Sequence, residues 1–207
     1  FLMRSTDVLL GDEMGVGKTI QAIVALRSSN PEITLPALII SPNSVKKNWS
    51  TEAKVWYPSA KTYIVTGSAA NKRKIIAEAK KNPKALVIIN IESMRMFSRL
   101  APYGSIRLVR CKECDPAKKG DLRAGKPIAV SACEMHTREL NTFGFKSVIL
   151  DEAHCIANPK SKQTRAVWAV MHGPTITGYR WAMTGTMIAN SPADLWSIMH
   201  AIAPYDY

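Results

Sequence analysis

In the stretch "GDEMGVGKTIQ", residues 11–21, the run Gly15, Val16, Gly17, Lys18, Thr19 and Ile20 follows closely on the apolar segment "DVLL". Glycine takes positive φ without a Cβ penalty, so Gly15 and Gly17 can turn backbone N–H groups toward an anion. Lys18 offers a point charge to the β- and γ-phosphates of a nucleotide, and Thr19 offers a hydroxyl to Mg²⁺. The strict pattern G-x-x-x-x-G-K-[ST] is not met, because Asp12 stands at the first glycine position. Much later, "VILDEAH" (148–154) ends an apolar run with two adjacent carboxylates, Asp151 and Glu152. Asp151 can hold Mg²⁺ directly or through water, while Glu152 can orient and deprotonate an attacking water. Together the two stretches point to hydrolysis of a nucleoside triphosphate. His154 is open between a role beside these acids and that of a buried, hydrogen-bonded structural histidine.

A different chemistry is written in "CKEC" (111–114) and "CEMH" (133–136), which form C-x2-C-x18-C-x2-H. Two ligands on one tight turn can reach the same ion, and two such turns complete a tetrahedron. Soft thiolates with one imidazole favour Zn²⁺, so Cys111, Cys114, Cys133 and His136 are expected to hold a structural zinc. The alternative is three free thiols and an unrelated histidine. The loop between the pairs carries Lys118, Lys119, Arg123 and Lys126, either as a contact to a polyanionic backbone or as a solvated loop. Cys155 reads as a small buried apolar residue.

The elements that must hold these residues are visible as short apolar runs: 7–10, 37–41, 62–66, 85–90, 147–151 and 180–185. Their near-continuous hydrophobicity suits strands covered on both faces. Helical patterns lie between them, most clearly Leu195, Ile198, Met199 and Ile202 after Ser191-Pro192. This alternation predicts one α/β domain with a parallel sheet and helices on both faces, with ligands at the carboxyl ends of the strands. Residues 103–142 break the rhythm and read as an insertion that a metal would staple. The start, "FLMRSTDVLLGDE", lacks the layout of a secretory signal and reads as a helix entering a strand, so further chain is expected upstream.

The chain has 28 Lys and Arg against 16 Asp and Glu, a net charge of +12, which favours a polyanionic partner. There is no run of 18 apolar residues for a membrane span, and an intracellular protein is expected.

With these residues in place, the sequence resembles the first RecA-like lobe of Swi/Snf-type DNA translocase ATPases of helicase superfamily 2, along nearly its whole length. "DEMGVGKTIQ" (12–21) resembles motif I, where Asp at position 12 is normal. "ALIISPNSVKKNWSTEAKVW" (37–56) resembles motif Ia, and "VIINIESM" (87–94) stands where the family has a nucleic-acid contact. "DEAHCIANPKSKQTRA" (151–166) resembles motif II with its Asn-Pro-Lys-Ser extension, and "AMTGTMIANSPADLWSIMHAIAP" (182–204) resembles motif III. Met187, Ala189, Cys155 and Ala157 depart from the family's usual residues.

The resemblance implies a RecA-like P-loop NTPase fold with ATP and Mg²⁺ as cofactors and Lys18, Thr19, Asp151 and Glu152 carrying the chemistry. It implies that Thr184, Gly185 and Thr186 couple nucleotide state to nucleic acid. Pro42, Asn43, Ser44 and Lys46, with Asn90, Glu92 and Ser93, are expected at backbone phosphates of double-stranded DNA, which position a protein without reading sequence. Trp49 and Trp56 could stack on bases, but on an amphipathic helix they read more simply as core. The family's adenine-reading glutamine and its second RecA-like lobe, which carries an arginine finger, are not among these residues, so weak hydrolysis is expected of this lobe by itself. The resemblance does not supply the cysteine insertion. Two other readings stay open: a strand-separating DNA or RNA helicase, and a non-catalytic zinc-containing DNA-binding module.

Overall fold

Strands that are apolar throughout need cover on both sides, and alternate side chains along each one go to opposite cores. In a computed structural model describing residues 2–13, 15–98, 138–186, 192–204 and 206, six strands form one sheet whose inner strands are almost entirely buried and whose two edge strands are partly exposed. The six are β1 (Asp7–Leu10), β2 (Ala37–Ser41), β3 (Lys61–Ile64), β4 (Ala85–Asn90), β5 (Ser147–Asp151) and β6 (Arg180–Met183). All pair in parallel, in the order β1-β6-β5-β2-β4-β3.

Leu38 and Ile40, Val87 and Ile89, and Val148 and Leu150 face one core. Helices α4 (Ala69–Ala79), α5 (Ile91–Phe97), α6 (Lys162–Met171) and α7 (Pro192–Ile202) cover it. Ala37 and Ile39, Leu86 and Ile88, and Ile149 face the other, beneath α1 (Lys18–Ser28) and α3 (Lys46–Trp56). A short helix, α2 (Pro31–Thr34), precedes β2. Burying one large aliphatic side chain contributes about 1.5–3 kcal/mol, so a slip by one residue, which would exchange the two sets, is strongly disfavoured. The predicted α/β class, the parallel sheet and the helices on both faces are all present. Strand ends differ from expectation by a few residues: β3 starts at Lys61 and β6 stops at Met183.

Because every strand runs the same way, the segments that follow β1, β6, β5, β2 and β4 emerge along one edge. The helices that begin there are capped differently. Ser68 accepts a hydrogen bond from the Asn71 N–H at the start of α4, and Ser161 does the same for the Thr164 N–H of α6. The N-cap of α1 is Gly17, which has no side chain to offer. The first N–H groups of α1 therefore point out of the sheet edge with no side-chain acceptor, the arrangement that suits an anion.

The polypeptide leaves the sheet after α5 and returns before β5. Leu140 N–H donates to Phe97 O at 3.0 Å, Asn141 Nδ2 donates to Ser98 Oγ at 3.1 Å, and Ser98 Oγ donates to Ala166 O at 2.5 Å. Leu140 is 1% exposed, so residues 138–142, counted with the insertion by sequence, pack on the lobe. Among the described residues no helix is long and apolar enough to cross a membrane.

Candidate nucleotide site

Gly15 and Gly17 have φ of +86° and +79°. A Cβ built at either would meet nothing within 4 Å, so backbone conformation rather than space demands glycine here. Lys18 Nζ folds back to donate to Asp12 O at 2.8 Å and Glu13 O at 2.7 Å, and Gln21 Nε2 donates to Val16 O at 3.1 Å. The turn thus wraps around its own ammonium. Val16 is exposed, whereas Thr19 and Ile20 are half-buried in the first turn of α1.

Only β6 separates β5 from β1, so the acidic pair after β5 comes to the same place. A cavity of about 290 Å3 is lined by Gly15, Gly17, Lys18 and Thr19 on one side and by Asp151 and Glu152 on another. Val45, Asn48 and Glu52 of the α3 region complete its wall. The glycine turn and the carboxylates, read separately from the sequence, share one cavity.

Asp151 is 8% exposed. Its Oδ2 accepts from Trp49 Nε1 at 2.8 Å and its Oδ1 from the Glu152 N–H at 3.0 Å. Burial pushes its carboxyl above the ordinary range; the Trp49 bond opposes this, the neighbouring Glu152 charge adds to it, and the Glu152 N–H and Lys18 oppose it. Glu152 has φ 52° and ψ 53°, a left-handed backbone that costs an L-residue roughly 1–2 kcal/mol. It is the one non-glycine residue with positive φ among the described residues. Its Oε2 lies 3.2 Å from His154 Nδ1.

The same His154 nitrogen is 3.2 Å from Thr184 Oγ1. His154 therefore bridges the acidic pair and the segment after β6. Thr184 is fully buried; its N–H donates to Leu10 O at 3.0 Å, and its hydroxyl pairs with Thr186 O and Thr186 N–H, each at 3.0 Å. Gly185 and Thr186 are exposed.

The residues expected at nucleic acid divide into two sets. Asn43, Ser44 and Glu92 are exposed and Pro42 is half-buried. Lys46, Asn90 and Ser93, expected at the same backbone phosphates, are buried and turn inward. Register pairs Ser41 with Asn90, and a polar hub forms beside that pair. Lys46 Nζ donates to Val65 O at 3.1 Å and Asn90 Oδ1 at 3.3 Å. Ser93 Oγ donates to Asn90 Oδ1 at 2.8 Å, and Lys72 Nζ donates to Ser93 Oγ at 2.8 Å. Asn90 Nδ2 donates to Glu92 Oε2 at 2.6 Å. Burial first, and Lys72 second, lower the Lys46 pKa, with Glu92 opposing.

Trp49 is fully buried, as its helical position suggests, whereas Trp56 is 40% exposed and donates to Glu52 Oε2 at 3.0 Å. Cys155 is exposed rather than buried, because it sits on the outer side of the short turn Ala153–Ile156. Cys111, Cys114, Cys133 and His136 lie outside the described residues, as do Lys118, Lys119, Arg123 and Lys126. Sequence reading missed the Trp49–Asp151 bond and the contributions of Asn48, Glu52 and Lys72. The spacing of Val45, Asn48, Trp49 and Glu52 on one helical face was the available signal.

The family model described as "SNF2-related domain" matches residues 3–207. The chain is 28% identical to "DNA excision repair protein CSB" of Oryza sativa subsp. japonica, over 95% of this chain and 16% of that protein. It is 31% identical to "Helicase ssl-1" of Caenorhabditis elegans, over 97% of this chain and 7% of that protein. It is 26% identical to "CHD3-type chromatin-remodeling factor PICKLE" of Arabidopsis thaliana, over 95% and 13%. The chain thus spans less than a fifth of the length of these relatives. Among solved structures, it resembles the "Sulfolobus solfataricus SWI2/SNF2 ATPase core in complex with dsDNA", with a TM-score of 0.60 and 23% identity over 98% of this chain and 32% of that one. That likeness concerns the fold.

Proposed function

Because the chain belongs to the SNF2-related domain family, we propose that it is the ATP-binding lobe of a DNA-stimulated ATPase that translocates on double-stranded DNA. The observation carrying this reading is the shared cavity of Gly15, Gly17, Lys18, Asp151 and Glu152. The donor set fits Mg·ATP: two left-handed glycines, a helix start without a side-chain cap, an ammonium and a buried carboxylate. Bound Mg·ATP supplies the phosphoanhydride to be cleaved and a divalent charge that offsets the developing negative charge.

The residues around it have distinct tasks. The N–H groups of the turn and of the first turn of α1 orient the phosphates. Lys18 exchanges the carbonyls of Asp12 and Glu13 for phosphate oxygens. Thr19 and Asp151 hold the metal ion, and Glu152 accepts a proton from the attacking water. His154 passes the position of Glu152 to Thr184, and Gly185 and Thr186 carry it outward. Asn43, Ser44 and Pro42 meet the backbone of one DNA strand, and a second RecA-like lobe of the same polypeptide closes the site and supplies an arginine. An intracellular location belongs to the same proposal, as does a structural zinc on Cys111, Cys114, Cys133 and His136, which rests on spacing alone.

ATP hydrolysis by the full-length protein, measured with duplex DNA, single-stranded DNA and RNA, tests the reading. Stimulation by duplex, abolished by Lys18→Ala, supports it. Stimulation by single strands or RNA alone favours a strand-separating helicase, and full function in Lys18→Ala favours a non-catalytic module.

A further inference from the structure

Among the described residues four tryptophan indoles donate hydrogen bonds, and they differ in what accepts. Trp168 Nε1 donates to Ser197 O at 3.2 Å, Trp181 Nε1 to Ser5 O at 3.5 Å, and the exposed Trp56 Nε1 to Glu52 at 3.0 Å. Trp49 Nε1 makes the shortest of the four bonds, 2.8 Å, to a carboxylate oxygen of Asp151 that lies 102 residues away in sequence. A buried indole is satisfied by any backbone carbonyl. Here it takes a charged acceptor on the cavity wall, and such bonds are roughly twice as strong as neutral ones.

The second oxygen of the same carboxylate is held by the Glu152 N–H. With one donor on each oxygen, both the plane and the rotation of the Asp151 carboxylate are fixed. Trp49 itself is fully buried against the sheet in the core beneath α1 and α3, so its ring cannot follow the carboxylate if that turns. The helix carrying it begins one short turn after Pro42, and that turn, Asn43–Val45, presents Asn43 and Ser44 at the surface. The short turn and the helix that follows it therefore place exposed polar residues just ahead of a grip on Asp151.

Resting on the nucleotide reading above, we infer that Trp49 is a positioning residue: its indole N–H sets the orientation of the Asp151 carboxylate and ties the Asn43–Ser44 turn to the metal-binding side of the site. Its contribution is to geometry and not to the affinity of the glycine turn for phosphate.

The test removes the N–H and nothing else. In the full-length protein Trp49 is replaced by β-(3-benzothienyl)alanine, an isostere with sulfur in place of N–H. The isostere is expected to lower kcat about tenfold or more, the equivalent of one charge-assisted hydrogen bond. KM for ATP is expected to change less than about threefold, while the melting temperature falls by only the few degrees that one lost buried hydrogen bond costs. In indole-15N-labelled protein, the Trp49 N–H resonance should shift when Mg²⁺ is added in the presence of ADP, and not with ADP alone. An isostere with unchanged kcat, or one whose KM for ATP rises as steeply as kcat falls, overturns the inference by reducing Trp49 to core packing. A wild-type protein that neither binds nor hydrolyses ATP overturns the nucleotide reading and this inference with it.

Discussion

His154 Nδ1 stands 3.2 Å from Thr184 Oγ1 and 3.2 Å from Glu152 Oε2. One imidazole nitrogen thus touches the residue proposed to activate water and the residue after β6 whose N–H is bonded to the end of β1. The segments following β1, β5 and β6 are joined through this nitrogen and that backbone bond.

Thr184→Val keeps the shape of the side chain and removes the hydroxyl. It also leaves the Thr186 N–H without its acceptor, a loss of about 1 kcal/mol. The expected outcome is binding of Mg·ATP within about threefold of wild type and duplex-stimulated turnover reduced about tenfold. Titration with a fluorescent nucleotide and steady-state kinetics separate the two. Equal losses in both would place Thr184 in the fold alone.

The surface and buried residues near β2 and β4 should respond differently to substitution. Asn43→Glu with Ser44→Glu puts negative charge on the exposed turn and should weaken duplex DNA binding at low salt. Lys46→Met removes an ammonium that is 5% exposed and bonded to Val65 O. It should shift thermal stability and leave the salt dependence of DNA binding unchanged. A salt slope reduced by about one unit in Lys46→Met would return Lys46 to the DNA surface.

Stability should fall in mild acid through His172. Burial, the chief cause, with the neighbouring charges of His200 and Arg180, lowers its pKa from 6.5 to about 4, against a raising bond to the His200 carbonyl. Its Nε2 lies 2.8 Å from His200 O. With a depressed folded-state pKa, the unfolded chain binds the proton first, so the stabilisation is present above 6.5 and is lost as pH falls toward 4. Melting temperatures across this window should drop in wild type and drop less in His172→Gln. Parallel curves would assign the acid sensitivity to other groups.

Purified protein should carry about one equivalent of zinc, and Cys111→Ser should lose both metal and stability. Less than about half an equivalent, together with a stable Cys111→Ser, would remove the zinc expectation.

Much of this lobe is legible in sequence because its physics is local. The most continuous apolar runs read as doubly covered strands, and the observed β2, β4 and β5, buried throughout, match 37–41, 85–90 and 147–151 residue for residue. The Leu195–Ile202 spacing gave α7, and the glycines of 15–17 gave the phosphate-shaped turn. What escaped depends on register between distant strands. That Ser41 pairs with Asn90, and so draws Lys46, Lys72 and Ser93 into one hub, follows from a strand order that no single segment encodes. The Trp49–Asp151 bond escaped for the same reason. A tryptophan on an amphipathic helix announces burial, but not which acceptor waits at the end of its indole.

Phe97 and Ser98 are clasped to Leu140 and Asn141 by main-chain and side-chain bonds, and this pair is itself tied to α6 through Ala166. The two lips of the excursion from the sheet are held together by the lobe itself and do not need the excursion to align them. Closing a loop between fixed ends costs only about 0.6 kcal/mol more for each doubling of its length. Sequence of very different length between these two lips is therefore expected to leave the strands on either side in register.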